Sequence, residues 1–248
     1  MPELTHSQWA LAVVGAIGIG VAKSGISGVA MLHVLIFAFL FGARDSTGIV
    51  LPMLLAGDIL AVLAFRQHTR WEYIRRMLPP AIAGVIVGWL LMSRISEATY
   101  KPLLGWMVLV LVSLQFLRFA KPHLFDHLPH TRSFAWSMGL LAGAATMLLN
   151  GAGPVMSLYL LAVTLPKFEL VGTSAFFFLI LNCIKIPFSA SLGLIRPDSL
   201  VLNALLLPAI AVGLFGGRWL VHRIPQRLFD RLLLLFAAVA ALRLIGLF

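Results

Sequence analysis

Apolar positions run almost without interruption along this chain, and the places where the runs stop define its elements. Stretches 77–93, 102–117, 133–166 and 199–217 contain no charged residue at all. None of them alternates apolar with polar residues as a barrel strand does, so the pattern predicts membrane-spanning helices. In order it predicts a broken hairpin at 8–42 and spans near 46–66, 73–93 and 99–120. A second broken hairpin follows at 133–166, with spans near 170–193, 199–221 and 226–247.

Both hairpins are broken at their centres by glycine. The breaks read Gly20-Val-Ala-Lys-Ser-Gly-Ile-Ser-Gly28 and Asn150-Gly-Ala-Gly-Pro154. The flanking pieces, 9–22, 29–41, 134–149 and 155–165, are 14, 13, 16 and 11 residues long. At about 1.5 Å per residue the longest reaches roughly 24 Å, short of the ~30 Å hydrocarbon layer. Glycine-interrupted hydrophobic segments at matching places in two halves point to a transporter's binding site. Half-helices leave backbone N–H groups free at their N-termini, and those groups suit an anion. The first break also carries a cation, Lys23. The breaks therefore nominate Lys23, Ser24, Gly25, Ser27 and Gly28, together with Asn150, Gly151 and Gly153, as substrate-binding residues.

Composition agrees with the pattern. With 60% hydrophobic and 11% charged residues and a mean hydropathy of +0.99, a soluble domain is excluded, because most of its surface would be apolar. The chain is expected to be an all-α polytopic membrane protein. Its one cysteine, Cys183, excludes an intramolecular disulfide. Residues 1–8 contain no lysine or arginine and no A-x-A site follows, so a cleaved signal peptide is not expected.

A net charge of +10 would suit a nucleic-acid binder, but the distribution argues against one. With the 66–76 loop in the cytoplasm, twelve lysines and arginines fall inside and five outside. That is a positive-inside bias, so the charge serves topology and contact with membrane lipid, and no nucleic-acid partner is expected. The two remaining lysines, Lys23 and Lys185, lie within the membrane.

The same assignment inverts the halves, because three crossings separate one hairpin from the next. The expected architecture is two inverted-topology repeats, 1–120 and 133–248, joined by a cytoplasmic linker at 121–132. Each repeat is a glycine-broken helical hairpin plus three transmembrane helices. Sequence echoes support it: Gly28-Val-Ala-Met31 matches Gly153-Pro-Val-Met156, and Thr47-Gly48 matches Gly172-Thr173. An offset of 124 residues sets Asp58 opposite Asn182. Inverted repeats meet near the midplane, where a substrate sits.

Polar residues inside spans complete the candidate site. Burying Lys185 unpaired would cost at least ~2.5 kcal/mol, so it needs a partner. Asn182 lies one helical turn away and faces the same side. Asp58 is the carboxylate deep inside a span; it reads as an ion-pair partner of Lys23 or Lys185, as a proton-coupling group, or as both. His33 reads as a packed polar residue or a second coupling group. Thr173 and Ser174 can offer hydroxyls to a substrate or to their own helix. Pro52 and Pro187 are expected at kinks, and Phe176-Phe-Phe178 at lipid-facing or packing positions. His123, His127 and His130 with Asp126 read as a solvated linker, and no metal or cofactor is expected. A membrane-embedded enzyme would need a nucleophile–base pair or clustered carboxylates, and a pump would need a P-loop; the sequence shows neither. A membrane-embedded enzyme and a cation carrier using Asp58 remain the alternatives; against the carrier stand two intramembrane lysines.

At Gly25-Ile-Ser-Gly28, at Asn150-Gly-Ala-Gly-Pro154 and at Gly172-Thr-Ser174 the chain resembles the sulfite exporter TauE/SafE family of membrane transporters. The resemblance covers nearly the whole chain. The first half departs from it, with Ser46-Thr47-Gly48 in place of Gly-Thr-Ser and no proline after the first glycines. The resemblance implies export of a small sulfur-containing anion, sulfite or an organosulfonate, across a bacterial inner membrane. The residues add two expectations, alternating access and proton coupling through Asp58 and His33. They leave homo-oligomerisation open.

Overall fold

In the computed structural model the described residues are 4–26, 29–121, 131–163, 165–220, 238–239, 241–242 and 245–246. Ser27, Gly28, the linker residues 122–130 with their histidines, and most of the expected span 226–247 lie outside them. The described residues form helices and connecting turns, with no strand among them. Five described stretches are long and apolar enough to cross a membrane: Asp45–His68, Trp71–Arg94, Glu97–Arg118, Lys167–Ser191 and Pro197–Trp219.

Local chemistry sets the ends of the first hairpin. Helix α1, His6–Lys23, starts on a capping box in which Thr5 and Gln8 exchange side-chain and backbone hydrogen bonds. It stops at Ser24 and Gly25, where φ is +103°, a value that glycine adopts without strain. Helix α2, Ala30–Phe41, ends at Gly42. A short α3, Asp45–Ile49, gives way to α4, Leu51–Phe65, which carries Pro52 in its first turn. There proline sacrifices no helical hydrogen bond, and the expected kink in this span sits between α3 and α4.

Helices α5, Trp71–Arg94, and α6, Glu97–Ala120, follow as single spans. The second hairpin is α7, Arg132–Leu149, capped by Thr131, then α8, Gly153–Ala162. Helix α9, Lys167–Ser191, passes Pro187 without ending, and α10, Pro197–Leu220, completes the described fold.

Small residues decide which helices touch. Helix α7 packs along α5 and α1 along α10. A Cβ on Gly143 would run into the carbonyl oxygen of Ala81, and one on Gly84 into that of Leu140. Reciprocally, Gly20 lies against the Ile210 carbonyl and Gly213 against that of Ile17. Without a hydrophobic drive between helices in lipid, backbone approach of this kind is what holds them together. Helix α4 crosses α9 between these two pairs and brings Asp58 against Asn182. Apolar side chains such as Leu63, Val110, Val212 and Trp219 face outward, as lipid contact requires.

Candidate functional site

The two breaks open on one cavity. Lys23 and Gly25 come from the first break, Asn150, Ala152 and Gly153 from the second, and all five line the same space of about 70 Å³. A Cβ on Gly153 would touch the Ala30 Cβ at 3.5 Å, so the breaks are neighbours. Ala30 and Gly153 begin α2 and α8 and both lie on the wall. Each helix start brings the positive end of its dipole, about half an elementary charge, to the wall. The space suits an ion of a few heavy atoms, since a single water needs roughly 10–15 Å³ by the same measure.

Charge in the cavity is carried by a pair. Lys23 Nζ stands 2.5 Å from Asp58 Oδ1. Asp58 is fully buried, while the Lys23 side chain keeps 13% exposure through the cavity. The Phe178 ring lies under the ammonium, 4.9 Å from Nζ, and lines the same wall. Asn182 donates to Asp58 Oδ2 at 2.7 Å. Of the two partners that the sequence allowed for Asp58, the structure selects Lys23.

Lys185 stands behind the wall. Its Nζ donates to the Thr146 carbonyl at 2.7 Å, to Asn150 Oδ1 and, at 3.5 Å, to Asn182 Oδ1. Thr146 Oγ1 lies within reach as well, at 3.4 Å, so four acceptors share its three protons. Asn150 ends α7 in the left-handed region with φ 55°, the one non-glycine residue at positive φ among those described. Its Nδ2 donates to the Thr47 carbonyl at 2.9 Å, so this break is tied to α3. The Tyr100 hydroxyl donates to the Leu148 carbonyl just before the break.

Contacts between distant segments occur at both ends of the α4–α9 pair. At one end Arg196 pairs with Asp45 at 2.7 Å, and Gly48 lies against the Leu194 backbone. At the other, Arg70 pairs with Glu169 at 2.7 Å, its amide donates to Thr173 Oγ1, and Gly172 lies against the Phe65 carbonyl. Glu169 holds the Arg70 guanidinium above its ordinary pKa through a hydrogen bond and its charge. The cavity wall reaches Leu170 and Val171, in and just past the first turn of α9, at this second end.

The nominated residues therefore separate into two groups. Lys23, Gly25, His33, Asn150, Gly153, Ser174 and Asn182 lie on the cavity wall. Ser24, Asp58, Gly151, Thr173 and Lys185 do not: the Ser24 hydroxyl bonds the Val21 carbonyl of its own helix, Asp58 lies behind Lys23 and Asn182, and Thr173 accepts from Arg70. His33 is buried, and neither ring nitrogen has a hydrogen-bond partner within the described protein. Sequence reasoning missed Thr146, Ser157 and Phe178, all on the wall. Phe176-Phe-Phe178 packs as expected: Phe176 lies tilted against Trp71, Phe177 is buried, and Phe178 packs against the core while also facing the cavity. The i, i+4 spacing from Phe178 to Asn182 carried that signal.

The family model described as "Sulfite exporter TauE/SafE" matches residues 10–244 of this chain. No curated protein and no solved structure matches it. The chain belongs to the sulfite exporter TauE/SafE family, a family of membrane transporters for small sulfur-containing anions. It is an integral membrane protein.

Proposed function

We propose that this family member is a secondary transporter that exports sulfite or a small organosulfonate by alternating access, with Asp58 as its proton-coupling group. The observation that carries this reading is the shared cavity, where two helix starts and the Lys23 ammonium converge. An anion entering it competes with Asp58 for Lys23. Once displaced, the buried carboxylate must be met by a proton or by another cation, because leaving it unpaired costs several kcal/mol. That requirement ties substrate binding to charge movement inside the protein. Lys23 and Asn182 act at the site itself, with the Ser157 and Ser174 hydroxyls on its wall.

The division into inverted repeats, 1–120 and 133–248, belongs to the same reading. Asp58 and Asn182, equivalent by the 124-residue offset, touch each other, as residues on a pseudo-two-fold axis do. Two ion pairs, Asp45–Arg196 and Glu169–Arg70, tie the proposed halves together at opposite ends. Positive-inside bias puts the Arg70 end, which the cavity reaches, in the cytoplasm of a bacterial inner membrane.

Flux measured in sealed proteoliposomes tests the proposal. Labelled sulfite and short alkanesulfonates should show saturable movement that responds to an imposed pH gradient. Sodium, potassium and divalent metal ions should not move. Saturable cation flux would move the reading to a carrier using Asp58, and consumption of the anion without transfer would make the protein an enzyme.

A further inference from the structure

Lys185 has no place on the cavity wall, yet it is a charged side chain only 1% exposed inside a membrane protein. Its acceptors are neutral oxygens: the carbonyl and hydroxyl of Thr146 and the side chains of Asn150 and Asn182. A carboxylate binds an ammonium more strongly than these do. Asp58 lies one amide away, because Asn182 accepts from Lys185 through Oδ1 and donates to Asp58 through Nδ2. Asn182 and Lys185 share a face of α9 through their i, i+3 spacing. A continuous polar chain results. It runs from the Thr47 carbonyl through Asn150, Lys185, Asn182 and Asp58 to Lys23 in the cavity.

We infer that Lys185 is the exchange partner of Asp58 and positions the Asn150 break. When an anion draws Lys23 off the ionised carboxylate, Lys185 leaves Asn150 and Thr146 and pairs with Asp58. Asn150 then loses the bond that holds its side chain toward Thr47. Asn150 holds its left-handed backbone at φ 55° with two side-chain bonds, to Lys185 and to the Thr47 carbonyl, that brace the break. The Thr47 contact loosens, and with it the Asp45–Arg196 end. A proton on Asp58 removes the need for a second cation, so Lys185 stays on Asn150 and that end stays closed. Opening therefore requires an anion on Lys23 and an ionised Asp58 together. The inference rests on the transport reading above and adds the step that links the occupied site to one end of the protein.

Accessibility at position 47 tests it in reconstituted full-length protein. Thr47→Cys is made with Cys183, the one native cysteine, changed to Ser. Thr47 is 5% exposed and takes part in the chain through its backbone carbonyl, so the substitution spares that link. The readouts are equilibrium binding of sulfite and labelling of the introduced thiol by a membrane-impermeant reagent, each with and without sulfite. Sulfite should raise the labelling rate about fivefold or more in the parent. Lys185→Gln should bind sulfite at least about tenfold more weakly and its labelling should no longer respond, whereas adding Asp58→Asn, which removes the stranded carboxylate, should restore most of the binding. Asn150→Gly keeps the left-handed backbone and removes both side-chain bonds, and it should label fast with or without sulfite. Binding that Asp58→Asn does not restore would make Lys185 a direct ligand and overturn the inference, as would parent-like affinity or an undiminished labelling response in Lys185→Gln. Should Lys185→Gln not fold, Asn150→Gly decides: slow, sulfite-responsive labelling there overturns it too. A parent that binds no sulfite refutes the transport reading itself, a separate outcome.

Discussion

Removing the Lys23 ammonium should separate what the Lys23–Asp58 pair does for stability from what it does for binding. Lys23→Met keeps most of the side-chain length and leaves Asp58, which is fully buried, with Asn182 as its remaining hydrogen-bond donor. Breaking a buried pair by deleting one member costs about 3–5 kcal/mol, a ceiling here because Lys185 can move onto the freed carboxylate. At roughly 2–4 °C per kcal/mol for a chain of this size, the unfolding midpoint should fall by no more than about 6–20 °C. Asp58→Asn added to Lys23→Met removes the stranded charge, and the coupling between the two changes should approach ~3 kcal/mol. Anion binding should behave differently. Lys23→Met should weaken it at least about tenfold, or 1.4 kcal/mol, and the double variant should not restore it. Thermal unfolding in detergent and equilibrium sulfite binding, measured on all four members of the cycle, give both quantities. Strictly additive losses of stability would refute the pair as a structural unit. Wild-type affinity in folded Lys23→Met would refute the lysine as the substrate's counter-charge.

Three further expectations follow from particular contacts. Gly143→Ala drives a Cβ into the Ala81 carbonyl and should cost about 1–3 kcal/mol, whereas Gly216→Ala, which meets nothing within 4 Å, should be neutral or stabilising in the same unfolding assay. Asn150→Val should lower folded yield more than Asn150→Gly, because φ 55° is an outlier for a β-branched residue and ordinary for glycine; size-exclusion profiles of the two in parallel check it. Phe178→Leu removes the ring that lies 4.9 Å from the Lys23 ammonium. It should weaken sulfite binding by a few-fold, about 0.5–1 kcal/mol, with little change in unfolding temperature.

Spans and breaks were legible in the sequence because both are local properties. Apolar runs mark the helices 71–94, 97–120, 167–191 and 197–220 to within a few positions. Glycine clusters mark where α1 and α7 stop, and the helix starts at Ala30 and Gly153 follow from the same clusters. Membership of a transporter family could be read from those clusters as well. The sequence also named the charged residues that lipid would not tolerate alone. What it left open was their pairing. Asp58 could answer Lys23 or Lys185, and hydropathy carries no information about which helix faces which. That choice depends on the rotation of α1, α4 and α9 about their axes, set where glycine lets α1 approach α10 and α7 approach α5. With those rotations fixed, Lys23 reaches Asp58 from the cavity, while Asn182 comes between Asp58 and Lys185. The same packing turns Phe178 into the cavity and brings Asn150 to the Thr47 carbonyl, 103 residues away in the chain. Local sequence decides where a helix begins and ends; only the packed structure decides which buried charge meets which, because that rests on side-chain distances of a few ångströms between segments far apart in the chain.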